Sequence, residues 1–289
     1  MKALLVLVVA ALVIPSVPVL AQEVEPKQET HWLFNPTPRD QMRELSADRP
    51  DKTESPHSVP AGHFQIESSF FSYTYDKRNP DYNGDSVHGF AVMQTILKMG
   101  ITDFMDFQVG LEPYVHNLNY NFATGTSQAT TGFGDVVLRA KFGVVGNDSG
   151  RFALGILPFV SIPTKRNDSI GDDHVGVSVA FPWSLELEKG WGLGGQTQFD
   201  YTYGVNNTKY YPAFVNTFEL TYEISERFGA YVELYAYVSS ENNLPWEGTV
   251  DTGLTFAATD NLQLDAGINM GVTRQGDDWN PFVGFTWRH

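Results

Sequence analysis

In the stretch FVNTFELTYEI (214–224), Thr217, Glu219, Thr221 and Glu223 fall on one parity, while Phe214, Phe218, Leu220, Tyr222 and Ile224 fall on the other. The same alternation puts Glu112, Arg139, Lys141, Glu186, Asp200, Glu233, Asp251 and Asp265 on the polar side of their own stretches. Carboxylates spaced two residues apart, opposite an apolar face, can attract cations or hold a polar solute if water reaches them. Without water they need cationic partners or must take up protons. The acids in this set outnumber the two bases, Arg139 and Lys141, so a dry interior would leave charge uncompensated. Tyr231, Tyr235 and Tyr237 line the same side of a further stretch. Their rings could stack a ring-shaped solute or simply fill space.

Other chemistries find less support. The seven histidines are scattered, and no pair has metal-ligand spacing, so neither a metal nor a cofactor is expected. GFGD (132–135) lacks the basic residue and helix of a phosphate-cradling loop. A Gly-x-Ser-x-Gly elbow is absent. Lipid hydrolysis on a barrel wall needs a serine and a histidine side by side. His57 and Ser58 are adjacent in the chain, so their side chains would diverge, and no catalytic residue is assigned. A net charge of −15 argues against nucleic acid as a partner, because phosphate binding needs a basic face.

The elements that must carry these residues have a period of two from Gly62 onward. VGVSVAFPWSLEL (175–187) sets Val175, Val177, Val179, Phe181, Trp183, Leu185 and Leu187 on one face. LQLDAGINMGV (262–272) sets Leu262, Leu264, Ala266, Ile268 and Met270 against Gln263, Asp265 and Asn269. A soluble sandwich also alternates, but three features separate this chain from one. The strands run for roughly 10–13 residues, where globular strands peak at about 5–6 and a bilayer-crossing strand needs about 9–11. Aromatic residues such as Trp183, Trp191, Tyr222, Phe228 and Trp287 gather near the ends of the apolar faces. Connections alternate between long, as in NYNFATGTSQATTGFG, and short, as in GITDFM, EKG, SER and ATDN. The expected fold is all-β: a twelve-stranded antiparallel transmembrane β-barrel of outer-membrane type, running from Gly62–Tyr75 to Trp279–Arg288. One ambiguity stays open. In the second strand Phe90, Val92 and Ile96 compete with Ala91, Met93 and Leu97 for the outer face.

The N-terminus has one cation, Lys2, an apolar run to about Ile14, two prolines, and Val19-Leu20-Ala21. This is a secretory signal peptide with its cut expected after Ala21. No cysteine occurs anywhere, so stability must come from backbone pairing and not from disulfides. The expected divisions are 1–21 signal peptide, 22–61 polar periplasmic segment and 62–289 barrel.

DRPDKTESPHSVPAGHFQIE (48–67), GITDFMDFQVGL (100–111), GFGDVVLRAKF (132–142), LPFVSIPT (157–164) and NPFVGFTWRH (280–289) resemble an outer-membrane transporter family named for the meta-cleavage pathway of phenol degradation. The resemblance runs from about Ala47 to the C-terminus. It implies a transporter of small solutes, with aromatic or otherwise hydrophobic compounds as cargo. The chain departs from many barrels in ending on Arg288 and His289 after Trp287. Expected partners are the outer-membrane bilayer, a small-molecule solute and the barrel-insertion machinery. The alternative is a closed structural or adhesive barrel acting through its extracellular loops.

Overall fold

The computed structural model describes residues 30–79, 84–164, 170–204 and 209–289. The expected signal-peptide cut after Ala21 and the start of the polar segment lie outside the described residues. Fourteen strands are β1 (Phe64–Asn79), β2 (Asp85–Thr102), β3 (Met105–Leu111), β4 (Tyr114–Asn121), β5 (Thr126–Gly132), β6 (Val136–Val145), β7 (Phe152–Ile162), β8 (Gly176–Glu186), β9 (Trp191–Tyr203), β10 (Tyr210–Glu223), β11 (Phe228–Ser239), β12 (Glu247–Thr259), β13 (Leu262–Gly271) and β14 (Asn280–Arg288). Each pairs antiparallel with its neighbours, and β1 pairs with both β14 and β2, which closes the sheet. Closure satisfies the backbone where lipid offers no partner.

The fourteen strands make twelve staves. β3 and β4 are one stave interrupted at Glu112-Pro113, and β5 and β6 are one interrupted at Phe133-Gly134-Asp135. The register runs on across both breaks, since Leu111 faces Val136 and Val115 faces Gly132. Pro113 has no N–H to give to a ladder, which is one reason for the break at this height. The Gly134 N–H still donates to the Glu112 carbonyl at 2.9 Å.

Two expectations change. The segment read as a long glycine-rich loop is mostly strand: β4 and β5 continue upward and turn only at residues 122–125. Most of β5 is exposed on both faces, so it carries no hydrophobic alternation for a sequence reading to find. The parity conflict in β2 has a structural cause at Met93, which adopts a φ of 57°. Ser69 faces Gln94 and Phe71 faces Val92, so Phe70 and Met93 are left out of the ladder. Above this bulge Phe90 and Val92 share a face with Tyr73 and Phe71. Below it Leu97 faces Ile66, and Ile96 shares the inner face with buried Glu67. Both readings are correct, each on its own side of the bulge.

The two faces of the wall are chemically inverted relative to a soluble protein. Phe218, Leu220, Val232, Leu234 and Leu254 are exposed on the outside, while Glu219, Glu233 and Asp251 are buried within. Ring pairs such as Trp191 with Tyr222 (4.5 Å) and Phe228 with Phe256 (4.7 Å) lie on the outer face near the short-turn end.

Candidate functional site

The charged, proline-rich stretch before β1 is the centre of the site. The sequence reading assigns residues 22–61 to a periplasmic segment outside the wall. From Arg43 to Ala61, however, the chain lies inside the barrel and forms a plug. It enters close against the wall: a Cβ on Gly100 of β2 would sit 2.0 Å from the Pro60 carbonyl oxygen, so only glycine admits the plug there. Arg43 donates to the carbonyls of Ser58 (3.1 Å) and Asp103 (3.0 Å), which fastens the entry to the β2–β3 turn.

The seven residues DRPDKTE (48–54) then reach staves all around the lumen. Asp48 is ion-paired to Lys98 of β2 at 2.5 Å and to Lys141 of β6, with Arg139 of β6 at 3.6 Å. The Asp48 N–H donates to Glu67 of β1 at 2.9 Å, and Glu67 also pairs with Lys98. Arg49 forms a two-pronged pair with Asp265 of β13 (2.6 and 3.2 Å) and donates to Ser69 of β1 (2.6 Å). The Lys52 N–H donates to Glu233 of β11 (2.9 Å), and its ammonium lies 3.3 Å from Asp251 of β12. Thr53 donates to Glu233 (2.6 Å) and its hydroxyl meets that of Thr217 of β10 (2.5 Å). Glu54 pairs with Arg139, and its N–H donates to Gln196 of β9 at 2.9 Å.

Register explains why one short segment can satisfy so many partners. Glu219, Glu233 and Asp251 stand directly opposite one another on β10, β11 and β12, so three carboxylates form a row. Like charges placed this way repel. The bases Lys98, Arg139 and Lys141 lie on β2 and β6, across the twelve-stave barrel from that row. The lumen is therefore polarised: the bases gather on one wall, where Asp106 stands opposite Lys141 and Glu67 pairs with Lys98, and an unbroken acidic row forms the other. The plug alternates in sign to match: Asp48 and Glu54 meet the basic wall, Arg49 and Lys52 the acidic one.

The two plug aspartates have opposite surroundings. Burial alone would push the Asp48 carboxyl up, but Lys141, Lys98 and Arg139 together hold it well below the usual carboxylate range. Asp51 is pushed well above that range by burial, then by its neighbour Glu219, with which it shares a hydrogen bond, and by Glu233.

The residues assigned to the polar face from sequence fall into three groups. Arg139, Lys141, Asp200, Glu219, Tyr231, Glu233, Asp251 and Asp265 are buried inside, and all but Asp200 lie in or beside the plug contacts. Glu112 and Tyr235 are half-buried; Glu112 accepts from Gln94 (2.9 Å) at the stave interruption. Glu186 and Glu223 are exposed at strand ends near the short turns and take no part in the cluster. The acid surplus expected from sequence persists, because parity revealed neither the cations Lys98, whose strand was ambiguous, and Arg49 and Lys52 of the plug, nor the acids Glu67 and Asp106 of the wall and Asp48, Asp51 and Glu54 of the plug. Their signal in the sequence was the alternating charge of DRPDKTE itself.

Two cavities flank the plug and share Arg49, Ser69, Gln94 and Glu112. One of about 440 Å³ is lined by hydroxyls and amides, including Ser72, Thr74, Asn117 and Asn280, with Lys52, Thr249 and Phe282. The other, of about 610 Å³, has a more apolar wall of Ile96, Leu111, Val137 and Phe159.

Comparison with known proteins agrees with this architecture. A family described as "Putative MetA-pathway of phenol degradation" matches residues 47–289. A sequence search of curated proteins finds no match. Among solved structures, the chain is similar to the COG4313 outer membrane channel from Pseudomonas putida F1, at 11% identity and a TM-score of 0.58, over 84% of this chain and 100% of that one. The NanC porin is similar at 10% identity and a TM-score of 0.48, over 78% of this chain and 98% of that one. At this identity the first likeness shows a common outer-membrane barrel fold.

Proposed function

The chain belongs to the phenol-degradation family whose profile it matches, and we propose that it is an outer-membrane channel for small solutes whose conduction path is closed by its own N-terminal plug. The observation that carries this reading is the match between an alternating-charge segment and a polarised lumen. A barrel built only as a scaffold could fill its interior with apolar side chains at similar or lower cost, because buried ion pairs are often no better than well-packed hydrophobic residues. Charged contacts to many staves give instead a plug held by interactions that water can replace when it moves.

In this reading solute enters from the long-loop side into the cavities above the plug. The polar cavity and the apolar wall of Ile96, Leu111, Val137 and Phe159 together suit a small aromatic or hydrophobic compound bearing a polar group. Plug displacement uncovers the acidic row, so the open path favours cations and disfavours anions. Glu112, Asp200, Glu219, Glu233, Asp251 and Asp265 are the proposed selectivity residues, with Arg139 and Lys141 as the plug's anchors. The outer membrane is the proposed site of action, reached by export and cleavage after Ala21.

Conductance of the refolded mature protein in a planar bilayer under a potassium chloride gradient tests this. Discrete openings with a reversal potential favouring potassium support the channel. A bilayer that stays silent with correctly folded, inserted protein even after the plug's ion pairs are broken by Asp48→Asn contradicts it and favours a closed barrel working through its loops.

A further inference from the structure

The side chain of Lys52 does more than tie the plug to the wall. Its ammonium lies 4.2 Å from the centre of the Tyr235 ring, 2.9 Å from the Thr249 hydroxyl and 3.3 Å from an Asp251 carboxylate oxygen. A ring face, a hydroxyl and a carboxylate around one nitrogen make a cage for a primary ammonium. Two of the walls are adjacent in register, since Tyr235 stands opposite Thr249 across β11 and β12. The third, Asp251, lies two residues along β12 and accepts a further hydrogen bond from Thr249 at 2.9 Å.

The cage holds more capacity than Lys52 uses. Asp251 is fully buried, and its other carboxylate oxygen has no hydrogen-bond partner among the described residues. The neighbouring Tyr231 hydroxyl, also buried, has none either. Glu233 stands beside Asp251 in the row. One side of the cage is open: Lys52 and Thr249 both line the 440 Å³ cavity, and the Lys52 side chain retains 28% exposure there. The Lys52 backbone is held independently, by its N–H on Glu233. Only the flexible arm of Lys52 must swing into the cavity to vacate the cage, so the plug can stay in place.

The geometry points to Tyr235, Thr249 and Asp251 as a binding site for the primary ammonium group of a small organic amine, with Lys52 as a tethered occupant that a soluble amine displaces. The inference rests on the channel reading for its physiological meaning but not for its test. A primary amine fits better than a quaternary one, because the hydroxyl and the carboxylate both need N–H donors. Tethering gives Lys52 a high local concentration, so a free amine competes poorly until Lys52 is shortened.

The test is calorimetric titration of the detergent-folded protein with n-butylammonium chloride, which reproduces the lysine arm. Lys52→Ala should bind it at least about tenfold more tightly than the wild-type chain. Adding Asp251→Asn to Lys52→Ala should weaken binding by about tenfold, the worth of a hydrogen bond to a charged group. Neither 1-butanol nor tetramethylammonium should reproduce the binding. Equal affinity in wild type and Lys52→Ala, or no effect of Asp251→Asn, would overturn the site. If Lys52→Ala does not refold, Lys52→Ser carries the same test. Because binding is read in micelles, amine binding by a barrel that stays silent even with its plug released by Asp48→Asn keeps the site and rejects the channel; conduction without amine binding does the reverse.

Discussion

Replacing Asp48 with asparagine removes the carboxylate that is ion-paired to both Lys98 and Lys141, and the size of the effect can be worked from their remaining partners. Lys98 keeps its pair with Glu67, and Arg139 keeps Glu54. Lys141 is buried to 1% exposure and Asp48 is its only ion-pair partner among the described residues. Breaking a buried pair by removing one member costs about 3–5 kcal/mol. Because only one cation loses its ion pair, and Lys141 keeps the buried carboxylate of Asp106 opposite it in register, the lower end applies, and about 3 kcal/mol shifts the docked-to-undocked ratio of the plug by roughly a hundredfold. The chain has no cysteine, so Thr53→Cys gives a single label site on the plug. Reaction of that thiol with an impermeant maleimide tracks the undocked fraction when opening and closing are fast. Asp48→Asn should speed labelling roughly a hundredfold. Adding Lys141→Met removes the stranded charge and should restore most of the protection, as expected of coupled neighbours. Labelling as slow in Asp48→Asn as in the parent would refute the reasoning that ion pairs hold the plug.

Further outcomes follow from the same structure. Gly100→Val should displace the plug entry, because even a Cβ meets the Pro60 carbonyl at 2.0 Å, and conductance should rise without loss of barrel folding. Asp51 retains a proton that the undocked chain gives up, so wild-type docking weakens as pH climbs above 3.8 towards its raised value. Asp51→Asn should therefore show longer closed times than wild type at alkaline pH and no difference below 3.8. Neutralising Glu219, Glu223 and Glu233 together should reduce cation preference; if the exposed Glu223 contributes little, the Glu219 and Glu233 pair alone should give most of the change. Leu234→Arg, on the lipid side, should cost about 2–4 kcal/mol in urea unfolding from vesicles and leave selectivity untouched.

The wall was legible because lipid judges each outward residue singly. Phe218, Leu220, Val232 and Leu234 had to be apolar one by one, so parity exposed the inward set without any knowledge of neighbours. Loop lengths then gave closure and strand number. The β4–β5 extension was not legible, because once the chain rises above the apolar band both faces are wet. Nor was the Met93 bulge, which swaps the faces of β2 between Phe90 and Leu97. The site was harder still. That Glu219, Glu233 and Asp251 form one row depends on register across three staves, which a single chain does not display. The plug has prolines and polar residues and no periodicity of its own. Its meaning lies in a charge order, Asp48, Arg49, Asp51, Lys52, Glu54, that only makes sense against walls not yet built.

The most direct measurement of a plug that closes a conducting lumen is to lock it in place. The hydroxyls of Thr53 and Thr217 lie 2.5 Å apart, so cysteines at both positions point at one another across the plug–wall contact. Conductance of the double variant in a planar bilayer would be recorded after oxidation and again after reduction, with the disulfide verified by mass. The account predicts a silent oxidised barrel that opens, with potassium selectivity, once the bond is reduced. Equal conductance in the two states would mean that ions do not pass where the plug lies.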